Sequence, residues 1–374
     1  MGIKEADLHI TRICNSRCGY CYVDPQGELP RRNAAFWCQP AYGATGELMC
    51  VIEAIKKIAG AEDLVLVGGN PCLHPNIVQL LLRAKELGLN ICVLSNTHVY
   101  MDNGRPVAMA EVTPLLDEVD FTLHGASASA HDAFNHATGS YRQATSQIKE
   151  FMLYRKSEQS VGIILNMVPQ VISNLSAIMS NIIDDLELNP ELDFFSIQRI
   201  APSGKAKQSY SQWRIDRAMV EHAFDTFDDI KARFGISTKC CIDAFPWCAV
   251  PEKHWHYLEP LRGGCNWGKP GGVLSVLMDG KLQRCALCEQ DLGINILNIE
   301  SPADFDALFQ NNPILRAFNE RKHLDKKCLS CELLDKCGGG CTVGGGCGGE
   351  DPYARFDPFD QTHTICRGHD YLAD

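Results

Sequence analysis

The sequence predicts an α/β protein: a partial, TIM-like (β/α)6 barrel followed by a cysteine-rich C-terminal domain. Three observations carry this. Six apolar strand-like runs alternate with helix-like segments up to about residue 235. A cysteine triple follows the first run directly. Beyond residue 240 the chain turns rich in Gly, Cys and Pro.

The strand-like runs lie at 6–11, 64–67, 90–94, 119–123, 162–168 and 194–200. Helical segments are predicted at about 46–59, 76–87, 107–117, 141–157, 174–188 and 214–233. In 76–87, Ile77, Val78, Leu80, Leu81 and Leu82 give a wide apolar face and Gly88 ends the helix. Alternating units of this kind imply a parallel sheet with helices outside it. Six units are too few for a closed eight-stranded barrel and suit an open one. Residues 1–235 are taken as the barrel, 236–264 as a bridging segment and 265–374 as the cysteine-rich domain, with one short helix at 302–320. That last segment has little apolar surface to bury and is expected to need metal to hold it together.

Composition excludes several functions. Net charge is −11; nucleic acid as a main partner needs clustered cations instead. No run approaches the ~20 apolar residues that span a bilayer. The first residues lack an apolar secretory core, and Ala6 breaks a myristoylation pattern. A cytoplasmic location is therefore expected. The chain has 19 cysteines, an odd number, in short chelating clusters. In a long chain without an export signal, that spacing reads as metal sites and not as disulfides. Cys38, Cys50, Cys72 and Cys92 stand outside the clusters and are read as small core or loop residues.

The sharpest motif is Cys14-Asn-Ser-Arg-Cys18-Gly-Tyr20-Cys21. Three thiolates on one tight loop can hold three irons of a [4Fe–4S] cube and leave the fourth open. A zinc loop is the alternative. The triple resembles the CxxxCxΦC signature of the radical S-adenosylmethionine (SAM) superfamily, Φ being aromatic. The resemblance implies that the methionine part of SAM chelates the open iron. One electron then cleaves the sulfonium to a 5′-deoxyadenosyl radical, which takes a hydrogen atom from a second substrate. Other family elements follow in order. Gly68-Gly69-Asn70-Pro71 is similar to the family's GGEP, with Asn70 in place of Glu. His124 ends strand four, and His131-Asp132 with Gly139-Ser140-Tyr141-Arg142 resembles the segment that follows it in peptide-modifying members. Asn166 lies on strand five, and Arg199 opens a stretch ending Pro202-Ser203-Gly204-Lys205-Ala206, similar to the family's adenine loop. By this resemblance Tyr20, Gly68, Gly69, Asn70, Pro71, His124, Arg142, Asn166 and Arg199 face the cofactor.

A second array reads Cys265-x14-Gly280-x4-Cys285, then Cys328-x2-Cys331-x5-Cys337-x3-Cys341, then Cys366. It is too dense for one zinc. It resembles the SPASM extension of radical SAM enzymes that mature peptides, which implies two auxiliary [4Fe–4S] clusters. Carried across, Cys265, Cys285 and Cys341 hold one, with Cys248 as candidate fourth ligand and Cys288 and Cys240 as rivals. Cys328, Cys331, Cys337 and Cys366 hold the other, with Cys347 a rival to Cys366.

For the second substrate, a ribosomally made peptide is the first expectation, to be crosslinked, epimerised or oxidised, aided by a separate peptide-recognition protein. Oxidation of a small molecule such as a tetrapyrrole or sugar is the alternative. Sulfatase maturation is disfavoured because Ala286 stands where those maturases carry Asp. A non-enzymatic iron–sulfur carrier would not need the barrel. A flavodoxin or ferredoxin is the expected electron donor. Trp247, Cys248, His254, Trp255 and His256, within 243–257, either line the substrate cavity or pack beneath the last domain. No catalytic acid or base can be named.

Overall fold

The computed structural model describes residues 2–23, 41–240, 245–322, 324, 326–341 and 343. Its centre is one ten-stranded sheet. Six parallel strands appear where the pattern places them: β1 (Glu5–Thr11), β2 (Asp63–Gly68), β3 (Asn90–Ser95), β4 (Glu118–Thr122), β5 (Ser160–Met167) and β6 (Phe194–Arg199). Four more extend it: β7 (Ser237–Cys240), β8 (Val273–Val276), β9 (Lys281–Cys285) and β10 (Cys288–Asn295). The spatial order is β10-β9-β8-β1-β2-β3-β4-β5-β6-β7. Among the described residues the sheet is therefore open at both ends, a partial barrel.

Residues of the C-terminal region complete the barrel sheet. Strand β8 pairs in parallel with β1, Glu5 beside Val273 and Asp7 beside Ser275. Strands β9 and β10 continue it antiparallel. Strand β1 is thus flanked on both sides and buried on both faces. Ala6, Leu8 and Ile10 are fully enclosed on one face, and Asp7, His9 and Thr11 are buried on the other.

The long helices are α1 (Thr45–Lys57), α2 (Ile77–Glu86), α3 (Ala128–Asn135), α4 (Ser140–Tyr154), α5 (Leu175–Leu186), α6 (Arg217–Phe234), α7 (Pro302–Asn311) and α8 (Pro313–Asn319). Helix α2 buries Ile77, Leu80, Leu81 and Ala84; truncating Leu80 or Leu81 to Ala would cost about 2–5 kcal/mol. Asp216 caps α6, accepting from the Met219 N–H at 2.8 Å, and Gly235 (φ 74°) ends it.

Two predicted helices differ. The one at 107–117 is only Met109–Val112 plus a tight turn, Thr113–Leu115, because Pro114 cannot continue an α-helix. The one at 302–320 is two helices. Asn312 breaks it, its side chain capping α8 through the Ile314 and Leu315 N–H groups, with Pro313 at the first helical position.

Candidate active site: the cysteine loop and its clamp

The loop after β1 is built against the ends of β2 and β3. Gly69 N–H donates to Thr11 O and Asn70 N–H to Ile13 O, at 2.8 and 2.7 Å. Glycine is required here: a Cβ on Gly68, whose φ is 139°, would lie 2.3 Å from Thr11 O, and one on Gly69 2.3 Å from Ile13 O. Asn70 is fully buried. Its NH2 donates to Asn15 Oδ1 at 3.0 Å and Thr97 Oγ1 at 2.8 Å. Its oxygen accepts from Ser95 Oγ at 2.7 Å and Cys72 N at 3.0 Å. Asn15, between Cys14 and Cys18, is thereby tied to β3. Asn70 needs both donor and acceptor capacity, which the family's Glu lacks. Pro71 opens the short turn Pro71–Leu73 that follows.

The other side of the loop rests on α3, an element the sequence patterns did not reveal. Arg17 N–H donates to Asn135 O at 3.3 Å. The Asn135 side chain lies 3.6 Å from Cys18 Sγ, 2.7 Å from Tyr20 Oη and 2.8 Å from His131 Nε2. His131 Nδ1 accepts from the backbone N–H of His124 at 3.1 Å, and the Asn166 side chain lies 3.3 Å from His124 Nε2. A continuous polar chain thus runs from Cys18 through Asn135, His131 and His124 to Asn166. Tyr20 stacks on Phe134 at 4.8 Å and meets the His124 and Trp213 rings edge-on at 5.6 and 6.0 Å.

The third side is the stretch after β6. Lys205 N–H donates to Cys21 O at 2.8 Å. A Cβ on Gly204 (φ 53°) would fall 2.2 Å from Tyr22 O. Ser203 Oγ donates to Leu287 O at 2.8 Å, joining the same stretch to the β9–β10 turn. Arg199 is buried, its guanidinium 4.9 Å from the Phe245 ring centre. Arg142 is exposed at the start of α4, away from the contacts that hold the loop.

Cys14, Cys18 and Cys21 are all half-buried, and the Cys18 sulfur feels both of the others electrostatically. Burial pushes the Cys18 thiol up to about 12, with a hydrogen bond from Tyr20 opposing part of the shift; Cys14 is raised for the same reason. No side-chain cation contributes to either shift. A metal centre is the group that would hold three such sulfurs as thiolates, so the donor set fits an iron cluster. The histidines behind it are neutral. Burial lowers His131 to about 4, and His124 far below its ordinary value, helped by His131.

Three of the C-terminal cysteines lie together. Cys265, Cys285 and Cys341 are buried in one apolar cluster with Trp267, Val273 and Val343, with Ala201 of the stretch after β6 packed against it. Cys337 accepts from Trp247 N–H at 3.4 Å, while Cys328 packs on Leu324 and Cys331 is exposed one turn away. Cys248, half-buried on the turn Trp247–Ala249, is thus adjacent in sequence to the Cys337 contact. Cys366, with Cys38, Cys241 and Cys347, lies outside the described residues. Of the remaining cysteines, Cys72 is buried, Cys92 half-buried and Cys50 exposed on α1.

Lys253, His254, His256 and Tyr257 face the carboxylates of α6. His254 is enclosed, its Nε2 2.9 Å from Asp225 Oδ1, and Tyr257 donates to Asp228 at 2.8 Å. Trp255 Nε1 donates to the Trp247 and Val250 carbonyls. His254 and Tyr257 thus pack against α6, and Trp255 against the Trp247–Val250 turn.

The sequence profile described as the Radical SAM superfamily matches residues 8–170, which span the cysteine loop, the Gly68–Pro71 turn, His124 and Asn166. The match places the segment 8–170 in the radical SAM superfamily. Two curated relatives align along nearly all of it. An AdoMet-dependent heme synthase of Oleidesulfovibrio alaskensis is 22% identical over 363 residues, covering 93% of this chain and 86% of that protein. A PqqA peptide cyclase of Methylorubrum populi is 24% identical over 359 residues, covering 94% and 84%. Among solved structures, Streptococcus suis SuiB bound to precursor peptide SuiA superposes with a TM-score of 0.65 at 14% identity, over 98% of this chain and 76% of that one. The superposition shows a shared fold along the chain, and no helix among its described residues is long and apolar enough to cross a membrane.

Proposed function

We propose that this radical SAM enzyme modifies a peptide. The observation that carries it is the three-sided clamp on Cys14, Cys18 and Cys21, joined through Ser203 to the buried group of Cys265, Cys285 and Cys341. When bound, a [4Fe–4S] cluster with SAM supplies hydrogen-atom abstraction. The chain's own residues hold and shape the centre. Cys14, Cys18 and Cys21 are the cluster ligands. Gly68, Gly69, Asn70 and Pro71 fix the loop edge, and Tyr20, His124, Asn166 and Arg199 furnish a buried, uncharged-to-cationic wall. Arg142, exposed at the start of α4, is assigned to the cofactor by the resemblance alone.

Cys265, Cys285 and Cys341 are assigned to one auxiliary cluster, with Cys248 as fourth ligand. Cys328, Cys331, Cys337 and Cys366 are assigned to a second. Residues 1–235, 236–264 and 265–374 are the corresponding barrel, bridge and auxiliary domains, reduced by a flavodoxin or ferredoxin in the cytoplasm. Full-length likeness to a peptide cyclase and to the fold of SuiB supports the peptide. The heme synthase relative favours a second reading, oxidation of a tetrapyrrole.

The test is iron and sulfide content after anaerobic reconstitution, with 5′-deoxyadenosine formation under dithionite. The expected result is about twelve irons per chain for three cubes and deoxyadenosine formed, with Cys18→Ala inactive. Deoxyadenosine formed by Cys18→Ala would sink the site assignment. A mass change on peptides encoded beside the gene supports the peptide reading; turnover of a tetrapyrrole alone replaces it.

A further inference from the structure

Asn135 closes α3 with its side chain enclosed, 1% exposed. Its amide is placed with Oδ1 toward Cys18 Sγ at 3.6 Å and Tyr20 Oη at 2.7 Å, an orientation that exchanges O for NH2 when the amide is turned by 180°. The other end faces His131 Nε2 at 2.8 Å. His131 decides which end is which. The backbone N–H of His124 points at His131 Nδ1 over 3.1 Å. A backbone amide can only donate, so Nδ1 carries no proton. An imidazole bare at Nδ1 bears its proton on Nε2. Nε2–H must then donate, and the Asn135 atom opposite it is the carbonyl oxygen. The NH2 group is left facing Cys18 and Tyr20. The reverse orientation would set an Nδ1–H against the His124 N–H. Side-chain amide orientation is settled by such networks.

The consequence falls on the cysteine sulfur. A separation of 3.6 Å suits an N–H···S contact, longer than one to oxygen. Tyr20 also hydrogen-bonds to Cys18, its hydroxyl opposing the rise of that thiol. With the Asn135 NH2 reaching Tyr20 Oη, that oxygen has a donor and its proton remains available for the sulfur. We propose that Asn135, fixed by the His124–His131 relay, is a positioning residue that donates a hydrogen bond to the Cys18 thiolate and raises the reduction potential of the cluster bound there. This rests on the reading of Cys14, Cys18 and Cys21 as cluster ligands. The physical reason is general: a donor to a cluster sulfur stabilises the more negative, reduced state. Its neighbour His131 supplies the orientation and makes no contact with the sulfur itself.

The test compares the full-length, anaerobically reconstituted parent with Asn135→Asp, Asn135→Leu and Asn135→Gln. Asn135→Asp keeps an oxygen for His131 Nε2–H but removes the N–H; Asn135→Leu removes both; Asn135→Gln keeps the amide chemistry. The readout is the midpoint potential of the EPR signal that changes when SAM is added, which singles out this cluster from any auxiliary one. Iron content is measured alongside. The expected result is iron equal to the parent in all three, a midpoint shifted negative in Asn135→Asp and Asn135→Leu, and recovery toward the parent in Asn135→Gln. Equal midpoints in parent, Asp and Leu variants would overturn the inference. So would loss of this cluster in both, because a donor that only tunes potential is dispensable for assembly. A parent protein that shows no SAM-sensitive signal would instead overturn the reading on which the inference rests.

Discussion

Asn70→Asp is the most informative single change in this protein, because it keeps the shape of a fully buried side chain and inverts half of its hydrogen-bonding capacity. The two acceptor contacts, from Ser95 Oγ and Cys72 N, survive. The two donor contacts do not. Thr97 Oγ1 can turn its own proton toward the new oxygen, so the 2.8 Å contact is kept in reverse. Asn15 Oδ1 cannot, and two acceptors would face each other at 3.0 Å. Losing that bond costs about 1 kcal/mol, and setting a buried oxygen against another adds roughly 1–3 kcal/mol, for a total of about 2–4 kcal/mol. Unfolding entropy of ~2.1 cal/mol/K per residue gives about 0.8 kcal/mol/K for 374 residues. The expected drop in Tm is about 3–5 °C, measured by calorimetry on the anaerobic protein at pH 7.5. The deficit should shrink toward pH 5 as the introduced carboxyl takes up a proton and donates. Because Asn15 lies between Cys14 and Cys18, iron retention should fall with it. A variant that melts within 1 °C of the parent and keeps its iron refutes the clamp. Asn70→Glu, which restores the family residue, is expected to fare worse, since the extra methylene enters an enclosed site.

Other expectations follow from the same geometry. Gly204→Ala, at φ 53° with a Cβ position 2.2 Å from Tyr22 O, should displace the Lys205–Cys21 contact and lower iron at the first cysteine loop; full iron loading would show that contact to be dispensable. Cys331→Ala should keep part of the SAM cleavage and lose about four irons per chain; an unchanged iron count would remove Cys331 from the ligand set. Stability should peak near pH 6.5. Burial lowers His9, His74, His98, His124 and His131, so below their ordinary value the unfolded chain binds more protons and stability rises with pH. Burial raises Glu5 to about 7 and lifts Asp7 and Asp120, so above pH 6.5 only these act, and stability falls by up to about 1.4 kcal/mol per pH unit per proton. Denaturant midpoints from pH 5 to 8 check this. Asp120→Asn should flatten the upper limb, and a monotonic profile would contradict it.

The first six strands were legible because each is an apolar run flanked by helical periodicity, the mark of strands covered on both faces. Strand β7, reading Ser-Thr-Lys-Cys at the sheet edge, has no such mark. Strand β8 reads Val-Leu-Ser-Val, but nothing in four residues says that its partner is β1. Parallel pairing between distant segments leaves no local signature. The cysteine triple and the Gly68–Pro71 turn were visible as motifs. Helix α3 was not: Ala-Ser-Ala-His-Asp-Ala-Phe-Asn buries only His131 and Asn135, so it lacks an apolar stripe. The two residues that build the back of the site are the ones that hide its helix. His131 stands in a segment that resembles one of the family. Asn135 and Trp213 carry no motif, and only the fold sets them against Tyr20.

The pairing of β1 with β8 also sets a clock. Glu5 lies beside Val273, 273 − 5 = 268 positions later in the chain. At 5–20 residues per second, a ribosome needs roughly 13–54 s between making the two. During that interval the strand that leads into Cys14, Cys18 and Cys21 has β2 on one side and an open edge on the other. The cysteine loop therefore reaches its final support only after Val273 has been made.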